Sequence, residues 1–528
     1  MDRRFLAALA VSALVLLAYP HYLKWVGLAP REGTQPPASP SEKVIPAPTA
    51  APEFKPPVPA EKLSFENELY DVVSTTQGGN LLLLRQGNVT FFEAGPDNGG
   101  IFGVTLEPGA EGLSGEIFEK VPAAEKDQGL EFVYEKPRDF RLTKRYFIGK
   151  EKPTLVLEVE TEDLSGRERN FSVGLNYGLD LVFHTSQEEG MVKVIRSSGG
   201  EVGRTDLRAI RKAQVPLIGT ESLDWHGLVR KYYALLVKPD SKIVGHEARV
   251  ERDKLMSRLR LAPFTLTAGG RHVTRILVYA GPQRQETLRE FGMGFEKILS
   301  QGTLGPLRGG LLRGLNFFYR LTQNYGTAVL LATLLIKLLF TPLTHLSYKS
   351  MKKMQALQPK LKALQRQYKD DAGRLNKETM ELYRRNRVNP MMGCLPLVLQ
   401  VPIFIAFYRV LAESVELKGA PFIFWIRDLS EPDRLFSWSG AIPFVGNSFN
   451  LLPLLMIGSM LWQQRLTPQT AADPGQEKIM YLMPVVFGLV FYSLPSGLVL
   501  YWTANNLLTI FHQLFVKRIP VSLHHEDR

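Results

Sequence analysis

The chain has 528 residues, with Lys+Arg 64 against Asp+Glu 52 for a formal net charge of +12, and a mean hydropathy of −0.07. That length allows more than one domain with a core of its own. The lone cysteine, Cys394, excludes an intramolecular disulfide framework, and nine scattered histidines with no CxxC pair give no reason to expect a structural metal. The charge is unevenly spread: residues 346–390 carry 12 Lys+Arg and 4 Asp+Glu, two thirds of the whole excess. Nucleic acid, anionic lipid headgroups and membrane topology are all readings of such a patch.

In chain order, "FLAALAVSALVLLA" at 5–18 follows Arg3 and Arg4 and extends with "YPHYLKW" to Trp25. That is near the ~20 residues needed to cross ~30 Å of hydrocarbon. With no small-x-small cleavage site and no lipobox cysteine, residues 1–25 read as a retained transmembrane signal anchor, a cleaved signal being the alternative. Tyr19, Tyr22 and Trp25 would form its interfacial belt. Residues 26–61 are a Pro-rich linker, with ten prolines between 30 and 59, a composition that stays extended.

From 62 to 303, β-branched and aromatic runs such as "TLVLEVETEDL" alternate with Gly, Asp and Pro turns. This predicts a large antiparallel β-sandwich domain. It holds no nucleophile elbow, phosphate loop or paired-carboxylate motif, so it reads as a domain for contacts rather than an enzyme. Residues 304–324 place Leu307, Leu311, Leu315 and Phe318 on one stripe, with Arg308, Arg313 and Arg320 off it. That pattern predicts a basic amphipathic helix on a membrane surface, or a helix packing between domains.

Five apolar segments follow, about 325–345, 391–412, 448–463, 479–494 and 497–516. With the anchor they predict a polytopic α-helical membrane protein of six transmembrane helices, the last five forming a core over 325–516. Segments 448–463 and 479–494, 16 residues each, give ~24 Å as helices, short of the ~30 Å of hydrocarbon. Pro396, Pro402, Pro453 and Pro484 are expected to interrupt these spans. Loop 346–390 is strongly basic, whereas loop 413–447 carries three cations against five acids. Positive residues favour the cytoplasm, so both termini, the tail 517–528 and loop 346–390 are expected there, with the β domain outside.

Within the spans the polar residues are few. Thr333 and Lys337 are four apart, hence on one helix face. Gln400 lies in the third span. In the last, Tyr501 and Asn505 form one row and Trp502 and Asn506 the next. A charge at the bilayer centre costs ~2.5–3.5 kcal/mol on insertion scales, least if Lys337 points inward to Gln400, Tyr501, Asn505 or water. Snorkelling to an interface is the alternative for Lys337, and interhelical hydrogen bonding for the amides.

The basic loop has its own order. Met354, Leu357, Leu361, Leu364 and Tyr368 repeat at coiled-coil spacing, "KDDAG" at 369–373 is a turn, and 374–386 can return as a helix. A helical hairpin is predicted, bent in its first arm by Pro359. Lys349, Lys352, Lys353, Lys360, Lys362 and Arg366 would form a cationic exterior for anionic lipid or a partner, or simply a solvated face.

These residues together resemble a known family. "NPMMGCLPLVLQVPIFIAFYRVL" at 389–411, "DPGQEKIMYLMPVVFGLVFYSLPSGLVLYW" at 473–502 and "FTPLTHLSYKSMKKMQALQPKLKAL" at 340–364 are similar to the signature of the YidC insertases. The anchor, linker and β domain look like the Gram-negative form. The resemblance implies a non-enzymatic insertase of the bacterial inner membrane, without a cofactor, whose periplasmic domain is a β-supersandwich. It would receive hydrophobic nascent segments in a hydrophilic groove, alone or with the Sec translocon. Partners it implies are nascent membrane proteins, ribosome and signal recognition particle machinery and anionic lipids, with no direct nucleic-acid substrate. Lys337 matches a positive groove position that is often arginine in the family. Thr333 matches a groove threonine, and Tyr501 and Trp502 match substrate-contacting aromatics. A lysine keeps its charge there only with water in the groove, since desolvation favours its neutral form. A transporter using an intramembrane lysine is the alternative, although no internal repeat is visible.

Overall fold

A computed structural model describes residues 60–94, 99–107, 112–121, 129–183, 186–213, 216–299, 304–369, 371–386, 388–389, 392, 395–442, 446–467 and 474–517. The expected anchor, nearly all of the linker and the tail beyond Lys517 lie outside the described residues. The chain divides into two compact units, one ending at Leu299 and the other beginning at Ser300.

The first unit is a large antiparallel β domain. Its nine-stranded sheet runs Glu201–Asp206, Lys193–Ser198, Trp225–Val229, Tyr233–Pro239, Arg271–Pro282, Thr154–Asp163, Phe140–Ile148, Gly129–Lys136, Glu119–Val121. A six-stranded sheet centred on Arg169–Asp180 and Lys254–Leu261, and a four-stranded sheet over 62–93, share its core. Strand Thr154–Asp163 shows why register is fixed. Leu155, Leu157 and Val159 are buried, while the alternate residues Glu158, Glu160 and Glu162 pair with Arg275 (2.6 Å), Arg145 (2.7 Å) and Arg141 (3.0 Å) on neighbouring strands. A slip of one residue would bury the glutamates. The opposite face carries a second cluster, with Trp225, Leu236, Tyr279 and Phe295 buried, so Trp225–Val229 is covered on both sides.

Two buried polar features tie the sheets together. The Lys144 ammonium donates to Phe102 O (2.7 Å), Gly78 O (2.9 Å) and Asn80 Oδ1 (3.1 Å), and burial pulls it well below the ordinary lysine range. His226 of the nine-stranded sheet faces His246 of the six-stranded sheet with ring centroids 5.5 Å apart. The Tyr177 hydroxyl lies 2.5 Å from His226 Nδ1, and Glu221 lies 3.7 Å from His246 Nε2.

The second unit is helical: α1 Gly305–Thr322, α2 Tyr325–Ala356, α3 Gln358–Gln367, α4 Ala372–Arg385, α5 Leu395–Glu413, α6 Leu452–Leu466, α7 Pro474–Phe491 and α8 Ser496–Lys517. Its core gathers Leu315 of α1, Ala328 and Val329 of α2, Phe407 and Leu411 of α5, Met456 of α6, Phe491 of α7 and Leu498 and Tyr501 of α8. The Asn324 side chain caps α2 by accepting from Thr327 N at 2.9 Å. At Gly326 an added Cβ would lie 2.1 Å from the Phe422 ring, so only glycine lets the loop after α5 close on the start of α2. By length and composition α2 is the one described helix able to cross a membrane, and Tyr481–Phe491 is a shorter apolar stretch. Leu335, Leu338 and Leu339 of α2, Leu489 and Val490 of α7 and Phe511 and Phe515 of α8 are exposed, apolar surface that a lipid environment would cover.

Several expectations are corrected here. The buried side of α1 holds Arg308, Leu312 and Leu315, while Leu307 is exposed. Arg308 forms an ion pair with Glu413 of α5 at 3.0 Å. The helix packs against α2 and α5, with one arginine inside rather than off its buried stripe. Helix α2 does not stop at 345; it continues through Pro342 to Ala356. Lys349, Lys352 and Lys353 therefore stand on α2, and only Lys360, Lys362 and Arg366 stand on the hairpin arm α3. Pro359 sits in the first turn of α3, where its missing N–H is no loss, and as expected the first arm is interrupted just ahead of it, at Leu357 between α2 and α3. Likewise Pro453 opens α6 and Pro396 is the second residue of α5, so only Pro402 and Pro484 of the four fall inside helices. Helix α7 begins five residues before 479 and has 18 residues.

Candidate functional site

A cavity of about 280 Å3 opens among α2, α5, α6 and α8. The outward side of α2 is leucine-rich, and the side turned to this cavity carries Ile336, Lys337, Phe340, Thr344 and Ser347. Lys337 Nζ donates to Thr509 Oγ1 at 2.6 Å and to Asn505 Oδ1 at 3.4 Å. Thr509 in turn donates to the Asn505 carbonyl one helical turn back, at 2.6 Å, so its lone pairs are free to face the ammonium. Among the described residues Lys337 forms no ion pair, its acceptors being a hydroxyl and an amide.

Gln400 of α5 donates from Nε2 to the Tyr501 hydroxyl. Asn506 Nδ2 donates to Ser459 Oγ of α6 at 3.1 Å, and Gln513 Nε2 donates to Thr467 Oγ1, just beyond α6, at 3.1 Å. Four polar atoms of lining residues find no partner among the described residues: Ser347 Oγ, Trp502 Nε1, His512 Nδ1 and Gln513 Oε1. A space of this size, lined by the polar groups of Lys337, Gln400, Asn505, Asn506, Thr509 and Gln513 among apolar side chains, has room and partners for water, so this is a polar recess.

Lys337, Gln400, Trp502, Asn505 and Asn506 are brought together in its lining. Thr333 and Tyr501 are not. Thr333 is 1% exposed and donates to Val329 O of its own helix at 2.6 Å. Tyr501, also 1% exposed, stacks on Phe407 with centroids 4.1 Å apart and meets the site only through Gln400. Sequence reasoning missed Thr509, His512 and Gln513. Their signal was present: Tyr501, Asn505, Thr509 and Gln513 repeat every four residues, a polar row that runs two turns past Asn505.

The basic region lies at one end of this unit. Met354, Leu357 and Val388 form a small core with Met351 and Tyr383. Thus the expected seam starts on α2 and closes on the residue leading out of α4. Lys349, Lys360, Lys362 and Arg366 are exposed, and the Lys352 ammonium lies 5.5 Å from the Tyr348 ring centroid. Asp371 caps α4, accepting from Arg374 N at 2.9 Å.

Residues 317–522, which hold every residue of the recess, match the family model described as 60Kd inner membrane protein. The chain is 30% identical over 564 residues to a membrane protein insertase YidC of Syntrophus aciditrophicus, covering 98% of this chain and 100% of that one. It is 42% identical over 301 residues to the YidC of Pelobacter propionicus, covering 57% of this chain and 55% of that one. Among solved structures, an active YidC insertase with its first transmembrane domain resolved is similar with a TM-score of 0.38 and 20% identity, over 88% of this chain and 94% of that one. The 30% identity to the Syntrophus aciditrophicus protein, running from end to end of both chains, with the polar recess inside the family-matched segment, leads to one assignment: the chain belongs to the YidC family of bacterial inner membrane proteins.

Proposed function

We infer that the protein is a membrane protein insertase in which the Lys337 recess receives the polar flank of a hydrophobic nascent segment. The observation that supports this is the setting of Lys337: its amine lies in a polar recess and is held by two neutral acceptors, and in this reading it carries its charge there. Its field is therefore not cancelled by a carboxylate partner, and an incoming acidic tail meets an attraction that a paired lysine would not offer. Helices α6 and α7, of 15 and 18 residues, extend ~22 and ~27 Å at the standard rise, less than ~30 Å of hydrocarbon. Short spans draw the two water boundaries together. A polar tail entering the recess then has only part of the bilayer left to cross, and no nucleotide site is needed.

In this reading all five helices α2 and α5–α8 span the membrane. The basic end, with α3 and α4, faces the cytoplasm and the β domain is periplasmic, as the charge of the loops favours. A transporter finds no support in the relatives described above, which are insertases.

The test is insertion of a client with an acidic translocated tail in cells depleted of their own insertase. A unit charge pair ~4 Å apart at an effective dielectric of ~20 interacts by about 4 kcal/mol. Lys337→Glu should therefore slow insertion more than tenfold, and Lys337→Arg should not. Photo-crosslinks from positions 337, 400 and 509 to a stalled client should also form. Normal insertion by Lys337→Glu would rule out charge capture.

A further inference from the structure

The end of the helical unit opposite the basic hairpin carries an aromatic tip that the insertase reading does not use. After α5, Phe422 N donates to Ile426 O at 2.9 Å and Ile426 N to Ile423 O at 3.2 Å, closing a tight turn. Phe422 packs inward on Gly326, and its carbonyl accepts from Asn324 Nδ2 at 3.2 Å. Phe424, at the tip, is thrown outward. It is 88% exposed and holds a left-handed φ of 54°, a conformation that a bulky residue adopts only when its surroundings enforce it. The hairpin Phe436–Ile442/Gly446–Phe449, which begins three residues after the Asp433 that Trp425 bonds, presents Phe436, 55% exposed, stacked on Phe449 with centroids 5.0 Å apart.

This tip is rigidly mounted. Trp425 Nε1 donates to Asp433 Oδ2 at 2.8 Å. The same oxygen accepts from Leu451 N and Leu452 N, both at 2.9 Å, at the start of α6. Ser496 N and Gly497 N, opening α8, donate to Glu431 O (2.8 Å) and Leu429 O (3.0 Å). The turn is thus fixed to the ends of four helices at once, at the level where a bilayer crossed by those helices has its headgroups. Residues 413–447 carry three cations against five acids, so attraction to anionic lipid is not what this surface offers. Its chemistry is phenyl and indole, which favours the boundary between headgroup and acyl chain.

We propose that the Phe422–Ile426 turn and the neighbouring hairpin form an interfacial anchor, with Ile423, Phe424 and Phe436 seated in the headgroup–acyl boundary of the leaflet opposite the basic hairpin. The occupant is lipid. The anchor holds that end of the bundle at a fixed depth, so that thinning around α6 and α7 falls on the recess side. It rests on the membrane-spanning reading of α2 and α5–α8.

The test uses the full-length protein in vesicles of phosphatidylethanolamine with a minority of phosphatidylglycerol. In a Cys394→Ser background, a polarity-sensitive dye is placed at Phe424→Cys and, as a reference, at Leu489→Cys on the outer face of α7. Both positions are exposed, so neither change removes a core contact. Expected is several-fold stronger quenching of the 424 dye by headgroup-proximal nitroxide lipids than by deep ones, little quenching by aqueous iodide, and no change in high salt. The 489 dye should respond to the deep nitroxides. Iodide quenching at 424 with the 489 dye still deep overturns the anchor while sparing the spans. Shielding of 424 from both quenchers overturns it in favour of a protein partner. A 489 dye that responds only to iodide overturns the spanning reading and the anchor with it.

Discussion

Lys337 and Asn506 look alike in the sequence, each a polar residue in an apolar run, yet the structure gives them different work. Asn506 spends its amide on Ser459. Interhelical hydrogen bonds in membranes average ~0.6 kcal/mol and reach ~1.7, so Asn506→Leu should lower stability by about that much and leave insertion of acidic-tailed clients near normal. Asn505 and Thr509 orient the ammonium. Asn505→Leu combined with Thr509→Val should keep the fold yet cut crosslinking from the recess to such clients several-fold. Thermal unfolding and crosslinking yield, measured on the same samples, separate the two outcomes. The lysine and its α8 row were readable because helical spacing puts residues four apart on one face. Thr333 was misplaced for a reason that spacing does not encode. It shares a face with Lys337 but sits one turn nearer the start of α2, where it is buried beside Ala332 and its hydroxyl is taken up by Val329 O.

At the scale of elements, the sequence located the helices but not all of their ends. A proline in an apolar run was read as an interruption, whereas Pro453 begins a helix. Met351 and Met354 belong to α2 and pack toward Val388, so a deletion meant to remove only the hairpin should start at 358. Deleting 358–386 should abolish complementation of an insertase-depleted strain while leaving the protease-protected pattern of the spans intact. Growth on that deletion would show that the hairpin is dispensable. The join between α1 and α5 makes a second prediction. Arg308 is 7% exposed and bound to Glu413, and removing one partner of a buried pair costs ~3–5 kcal/mol. Arg308→Ala should therefore lower stability by ~3 kcal/mol, the lower end of that range because Glu413 is partly solvated. Arg308→Met with Glu413→Leu should recover most of it, as a double-mutant cycle would report.

For the whole molecule, the β domain was foreseeable from alternation, as in "TLVLEVETEDL", while the pairing of distant strands was not, since no local pattern names a partner. His226 and His246 show what that pairing creates. Burial, the largest cause for each, holds both imidazoles below their ordinary value. His226 is lowered further by its neighbour His246 and by Arg196; for His246, Glu221 opposes the shift and Arg196 adds to it. A histidine with a depressed folded-state pKa favours the native state in full above the unfolded value of ~6.5. That stability declines as pH falls through ~6.5 toward the lower folded value, because the unfolded chain then binds the proton that the folded one refuses. Amide exchange of Trp225–Val229 and Ile243–Glu251 in the full-length protein, corrected for intrinsic rates, should be faster at pH 5 than at pH 7.5. Equal protection at both would mean that the pair is inert.

The length of α2 has one more result. Its 32 residues reach ~48 Å at 1.5 Å each, about 18 Å more than a ~30 Å hydrocarbon layer. In the membrane-spanning reading proposed above, with Tyr325 at one boundary, the helix would emerge near residue 345 and stand clear of the bilayer like a mast. Its cations then fall into two tiers. Lys349, Lys352 and Lys353 ring the base of the mast, within or just beyond the ~8 Å over which lipid charge is felt in physiological salt. Lys360, Lys362 and Arg366 begin only after the mast has ended. On that reading the lower tier would be a collar for phosphates, and the upper tier would be left unclaimed by the membrane, open to whatever delivers the client.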